Sequence, residues 1–305
     1  MKFILLSLLL MIVNPALAKE TVTVYSKFNL TDVGSRQIDA FVDMLNQNSN
    51  KYEFRIRSLP GAFGEASVRR SIVDARSGVK VLLFNTVDIV TVLKELENKD
   101  PDFVYDKSVD LIPLQGISST FHGLFARPEI GDIDSLIVQL RKEPQFFYGY
   151  TSNAVVPKLS ADSFIKHHKL TNGKLVLYKS QSDLELAVLN GEIRFAVGSV
   201  TQAISDNNLK LLLSTSKSRS QFYPETPTGI EKGVLNFKYN AQTVLFIPKE
   251  LAAFGQEMSA TLKSVCDSRE YGKILTSLRR TQSCLTSDQL KEFIEEEYGW
   301  YLANK

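Results

Sequence analysis

Apolar residues along this chain fall into short runs and stretches of helical period, and the two kinds alternate. The run Phe146, Phe147, Tyr148, Gly149, Tyr150 has the length of a buried strand and stops at Thr151, Ser152 and Asn153. Beyond it Leu159, Ala161, Phe164, Ile165 and His168 recur at helical spacing, so the polar triplet is predicted to lie in a strand-to-helix turn. The chain opens the same way. Residues 21–25 alternate β-branched positions as a strand, residues 26–30 form a loop, and Thr31 or Asp32 can cap a helix carrying Ile38, Phe41, Val42 and Leu45 on one face. A strand at 54–56 then runs into the Pro60 to Gly64 turn and a helix marked by Val68, Ile72 and Val73 and ended by Gly78. A buried strand at 79–84 leads through Asn85 and Thr86 into a helix with Ile89, Val92, Leu93 and Leu96. Strand and helix alternating three times predicts a parallel sheet wrapped by helices, with ligands gathering beyond the carboxyl ends of the strands.

From 103 to 131 the pattern turns irregular, with strand-like segments at 111–114 and 124–126, and a domain crossing is placed here. After a helix built on Ile133, Leu136, Ile137 and Leu140, a second alternating unit follows. It comprises strand 146–150, helix 157–168, strand 174–178, helix 182–190 ended by Gly191, strand 193–197, a short helix near 200–207 and strand 209–215. A loop with Pro224, Pro227, Gly229 and Gly233 leads to a strand at 243–247. Three helices, 249–266, 269–280 and 287–302, finish the chain, the last with a Thr286-x-x-Gln289 capping box.

Strand-to-helix turns of this kind suit an anion. Helix N-terminal N–H groups lack intrahelical partners, and the helix dipole adds partial positive charge. The hydroxyls of Thr151 and Ser152 and the amide of Asn153 can complete a carboxylate's hydrogen bonds. In the first loop Lys27 offers a point charge beside Asn29 and Thr31, with Asp32 at the cap and Asn85 in the turn after the third strand. The same residues also serve as ordinary caps, and Lys27 also reads as an exposed lysine.

Composition narrows the chemistry. Lys2, the apolar run 3–13 and the small residues Ala16 and Ala18 read as a secretory signal peptide over 1–18, cleaved after Ala18, which places the mature chain in the periplasm. No later stretch is long and apolar enough for a transmembrane helix. A formal net charge of +2 excludes general attraction to nucleic acid. Cys266 and Cys284 are the only cysteines, and in an exported protein such a pair forms a disulfide. Gly61-x-x-Gly64 is too short for a dinucleotide fingerprint, no G-x-S-x-G elbow occurs, and His122, His167 and His168 lack metal-ligand spacing. No catalytic residue, metal or cofactor is predicted, and the chain is not read as an enzyme.

Several motifs, in order, resemble those of the exported solute-binding proteins of tripartite tricarboxylate transporters, the Bug receptor family. Pro60-Gly61-Ala62-x-Gly64 resembles the family's P-G-A-G-G turn, and Thr31-Asp32 with Arg36 its S/T-D-x-x-A-R segment. Asp110-Leu111-Ile112-Pro113-Leu114 is similar to D-F-x-P-I, and Tyr148-Gly149 to the start of the second ligand loop. Tyr178-Lys179 with Gly191 resembles the P-Y-K-G and G-Q-V-D region, and Pro224-Glu225-Thr226-Pro227-Thr228 with Glu231 and Gly233 looks like P-D-V-P-T-x-x-E-x-G. The resemblance covers nearly the whole mature chain. It implies an α/β, two-lobed periplasmic binding protein clamshell of type II-like form, each lobe a mainly parallel sheet wrapped by helices. The first lobe is then 19–120 with 241–305, and the second 121–240. It also implies a monomer that holds a small organic anion between two strand-to-helix loops and works with membrane transporter or sensor subunits.

The departures fall at the site. Phe28-Asn29 stands where the family has Gly-Gly, Tyr150 to Val155 replaces a glycine-rich loop, Ser180 ends the Pro-Tyr-Lys-Gly equivalent and Arg194 replaces an Asp. Glycine lets backbone approach a ligand closely, so its loss narrows or reshapes the pocket. This keeps open an alternative, a binding-protein fold reshaped for a protein-interaction or sensory role. A cleft onto which Lys27, Asn29, Thr151 and Ser152 converge favours the receptor; one filled by Phe28, Tyr150 and Val155 favours the alternative.

Overall fold

Strand β1 (Glu20–Ser26) pairs in parallel with β2 (Tyr52–Ser58) on one side and β3 (Val81–Thr86) on the other, in a computed structural model that describes residues 18–28, 33–60, 64–99, 111–151, 155–200, 204 and 208–304. Residues 1–17 of the predicted signal peptide, Gly61 and the segments 103–110 and, Ile204 apart, 201–207 lie outside the described residues. The crossovers are helices α1 (Val33–Asn48) and α2 (Glu65–Arg76), and α3 (Asp88–Lys99) follows β3. Five of six β3 residues are buried, as a parallel strand covered on both faces should be.

The segments expected as two short strands at 111–114 and 124–126 are one strand, β4 (Leu111–Ala126). Its register shifts at Pro113/Gln115, Gly116/Ser118 and Leu124/Phe125, and each shift breaks the two-residue alternation by which a strand is recognised. From Leu111 to Phe121 it pairs antiparallel with β9 (Asn240–Pro248), which in turn pairs antiparallel with β3. From His122 to Ala126 it pairs antiparallel with β7 (Phe195–Ser199), and Gly123 to Ala126 also meet β8 (Lys210–Ser214). Beyond β7 lie β5 (Phe146–Thr151) and β6 (Gly173–Tyr178), in parallel. The parallel character of each sheet therefore resides in three outer strands, β2-β1-β3 and β7-β5-β6. The strands that carry the chain between sheets run against them.

Helices cover both faces of both sheets, giving four cores. One packs α1 and the C-terminal α7 (Ala252–Asp267) and α8 (Arg269–Ser277) on the first sheet, where Phe41 meets Phe84 and Tyr271 edge-on at 5.8 and 5.1 Å. The opposite face is closed by α2, α3 and the last helix, α9 (Ser287–Asn304). The second sheet is sandwiched by α4 (Ile133–Lys142) and α5 (Val155–His167) on one face and α6 (Gln181–Leu189) on the other. Full burial of each large side chain in these cores stabilises by roughly 1.5–3 kcal/mol.

Local chemistry sets the ends. The Thr286 N–H donates to Gln289 Oε1 at 2.9 Å and the Gln289 N–H to Thr286 Oγ1 at 3.5 Å, the capping box expected for α9. In the Pro224-to-Gly233 motif the Thr228 N–H donates to Glu231 Oε2 at 2.9 Å and the Glu231 N–H to Thr228 Oγ1 at 3.1 Å, so its Thr and Glu lock a turn. Helix α8 stops at Ser277, short of the expected 280. Arg279 takes φ 55, the Arg280 N–H bonds back to the Leu275 carbonyl at 2.9 Å, and the chain enters β10 (Thr281–Gln282) beside β4. Cys266 and Cys284 are joined in a disulfide, with Cα atoms 5.8 Å apart, tying the end of α7 to the approach of α9. No described helix is long and apolar enough to cross a membrane.

Candidate functional site

The carboxyl ends of β1 and β3 bring Lys27, Asn85 and Thr86 together with Gly64, the residue before α2. Gly64 has φ 95, and a Cβ there would sit 2.6 Å from Asn85 Nδ2 and 3.0 Å from Lys27 Cδ, so the backbone passes against both side chains. Asn85 is fully buried. Its Oδ1 accepts the Thr86 N–H at 2.8 Å, while its Nδ2 finds no acceptor among the described residues. An unmatched buried amide donor is costly, and this one lies at the carboxyl end of a parallel strand, the side of such sheets on which ligands gather.

Lys27 is not the free point charge expected from sequence. Its ammonium donates to Thr86 Oγ1 and pairs with Asp88 Oδ1 at 3.4 Å, with side chains 16% and 28% exposed, and the Thr86 hydroxyl also donates to Asp88. Burial pushes the Asp88 carboxyl up, but the Lys27 charge, the Thr86 hydrogen bond and His122 outweigh it and hold Asp88 below the usual carboxylate range. Asp88 sits at the start of α3, where a carboxylate complements the helix dipole, and this position carries it to the lysine. The loop thus presents dipoles and a compensated ion pair.

Phe28 and Tyr150 pack against the cores of their own sheets. The Phe28 ring packs on the first core and over Gly34, where a Cβ would lie 2.4 Å from its Cδ1, and its backbone is pinned by Ser26 Oγ at 3.1 Å and Ser58 Oγ at 2.6 Å. Tyr150 belongs to the core beneath α5. Thr151, the last residue of β5, is half-buried. Asn29, Thr31, Asp32, Ser152 and Asn153 lie outside the described residues, as does the Val155 side chain. Val156 in the first turn of α5 is buried in the core cluster that also holds Val87, Val90 and Tyr239, so this end of the second sheet's helix meets the first sheet's layer. A cavity of about 10 Å³, room for about one water, remains there, lined by Asp88, Thr91, Val156, Tyr239 and Glu297 among others.

Two histidines without metal-ligand spacing in the sequence are shifted by their surroundings. His122, where β4 passes between the sheets, faces Tyr239 with ring centroids 5.6 Å apart, and its Nδ1 is enclosed without a described partner. Burial, with the positive charges of Lys27 and Arg280, pushes the imidazole down to about 4 despite the opposing pull of Asp88. His168, against Phe164 and His167, is lowered to about 4 by burial and by the neighbouring His167 and Arg141. Both are therefore neutral in the fold and regain an ordinary value near 6.5 when unfolded. Their contribution is complete above about pH 6.5 and is lost as pH falls towards 4, on the order of 1–3 kcal/mol each. Urea unfolding at pH 7.5 and 4.5 should show this loss in the parent chain and a smaller one in H122N/H168N. Equal losses in both would refute the assignment.

An α/β fold with two parallel three-strand units joined through antiparallel crossing strands and covered by helices on both faces matches that of two-lobed periplasmic binding proteins. A profile of the tripartite tricarboxylate transporter family receptors matches residues 86–300, and the chain belongs to that family. Solved structures agree at the level of fold. A protein described as a periplasmic transporter superposes with TM-score 0.77 at 18% identity, covering 93% of this chain and 96% of its own. MatC from Rhodopseudomonas palustris, with bound malate, gives 0.73 at 16% identity over 94% and 99%. Another R. palustris protein, with adipate, gives 0.75 at 15% over 94% and 96%. Among curated proteins no sequence matches.

Proposed function

We propose that this chain is an exported, periplasmic, monomeric receptor that captures a small organic dicarboxylate between its lobes and presents it to membrane transporter or sensor subunits, acting neither as an enzyme nor on nucleic acid. The observation that carries the reading is the buried Asn85 amide with an unmatched donor at the carboxyl ends of β1 and β3. Malate and adipate in two structures of the same fold support the ligand class. On this reading Lys27, Asn29, Thr31, Asp32 and Asn85 face the ligand from the first lobe, 19–120 with 241–305. Thr151, Ser152 and Asn153 face it from the second, 121–240. Phe28 and Tyr150, turned into their own cores, favour it over a reshaped, non-transport role.

The ligand is held by N–H and hydroxyl dipoles, which need no proton transfer or metal. Protein stripped by unfolding and refolding should gain about 2.7 kcal/mol from a matching dicarboxylate at about 100 times its Kd. Asn85→Ala and Thr151→Ala should each weaken binding by about 1.5–3 kcal/mol, the range for hydrogen bonds to charged groups. A thermal-shift panel of C4 to C6 dicarboxylates, followed by calorimetry on the variants, checks both. A silent panel, or a hit that binds both variants as tightly as the parent, overturns the reading in favour of the non-transport role.

A further inference from the structure

The second half of the C-terminal region holds a cationic pocket that the cleft does not use. It has a volume of about 480 Å³, within the range of small-molecule sites, and lies between α8, β10 and the stretch after β8. Arg269, Lys273 and Gln221 form an exposed rim, while Arg280 is only 8% exposed. No carboxylate lines it.

The three cations crowd one wall with little compensation. Arg269 occupies the first turn of α8, where the helix dipole disfavours positive charge. Lys273 lies four residues on, on the same face, where like charges repel, and Glu270 in the same turn, outside the pocket wall, offsets the two only in part. Arg280 is buried with no counter-charge among the described residues, and its Nε has no partner. Burial lowers it only to about 10, so it stays charged at neutral pH. The turn that brings it inside is itself unusual, since Arg279 holds φ 55 and lays its guanidinium over the Phe222 ring at 5.9 Å. One small anion would offset all three. Thr281 and Gln282 add polar groups to the same wall.

We infer that this pocket is a second anion site, for a small di- or trivalent oxyanion of phosphate or polycarboxylate chemistry, held by Arg269, Lys273 and Arg280. The site is distinct from the strand ends that carry Lys27, Asn85 and Thr151. Because Gln221 comes from the segment after β8 and the cations from α8 and β10, an anion there links the two parts of the chain across the crossing strands.

The test is a titration of the ¹⁵N-labelled full chain with inorganic phosphate at constant ionic strength, and separately with citrate, followed by amide shifts. Saturable shifts are expected at Gly272, Lys273 and Thr281. R269Q/K273Q, both on the exposed rim, should raise Kd at least tenfold and keep the melting temperature. R280K should retain binding and R280Q lose it. Phosphate without citrate marks a compact phosphate site, and citrate with phosphate a broader polyanion site; both support the inference. Non-saturating shifts, unchanged affinity in R269Q/K273Q, or loss of the phosphate response in Thr151→Ala, which would merge this site with the cleft, overturn it.

Discussion

Gly64→Ala should destabilise the chain by roughly 2–5 kcal/mol and abolish dicarboxylate binding. A residue with a side chain at φ 95 bears strain on the order of 1–2 kcal/mol. The new Cβ would also lie 2.6 Å from Asn85 Nδ2, and Asn85 has little room to yield because it is buried and its other amide atom is held by the Thr86 N–H. Overpacking of that kind adds roughly 1–3 kcal/mol. The internal control is Gly78→Ala. Gly78 has φ 84 but nothing within 4 Å of a built Cβ, so it should show the backbone strain alone and leave binding intact. Denaturant midpoints for the two variants separate packing from strain, and equal losses would show that Gly64 does not pack against Asn85.

The contrast between those glycines bears on what sequence can reveal. Gly78 was legible as a helix terminator because its role is local, whereas the packing of Gly64 against Asn85 joins two strand-to-helix turns. The alternation of strands and helices was equally legible, since each is written in its own window of apolar spacing. Asn85 could be singled out because it follows a buried run directly. Its neighbour Asp88 could not be paired with Lys27, because the contact spans 61 residues and depends on β1 and β3 lying side by side. His122 and Tyr239 meet only through the β4–β9 register that sets Phe121 opposite Asn240, and the bulges along β4 hid that strand's continuity. The buried Arg280 depends on Arg279 adopting a left-handed conformation that nothing in its type announces. Local periodicity thus carries the layers, and long-range pairing decides which charges are free.

Removing the disulfide should have the other large effect. The bridge joins residues 18 apart in sequence, and closing a loop of that size stabilises by roughly 3 kcal/mol on the chain-entropy account. Cys266 is fully buried in the first core beside Tyr271, so a serine there would add a hydroxyl to apolar surroundings. C266A/C284A is therefore the cleaner variant, and it still deletes two sulfur atoms from the packing. At roughly 2–4 °C per kcal/mol for chains somewhat shorter than this one, the melting temperature should fall by about 5–10 °C. Most of the change acts on the unfolded chain, which the bridge otherwise keeps compact, so the denaturant m-value should rise as the midpoint falls. The parent chain in excess reductant should approach the double variant, while the variant itself ignores reductant. An unchanged midpoint in the reduced parent, with both thiols shown free by alkylation, would mean that the α8–β10 loop is held by packing and by the Gln282 amide's bond to the Ser268 carbonyl at 3.2 Å, without help from the bridge.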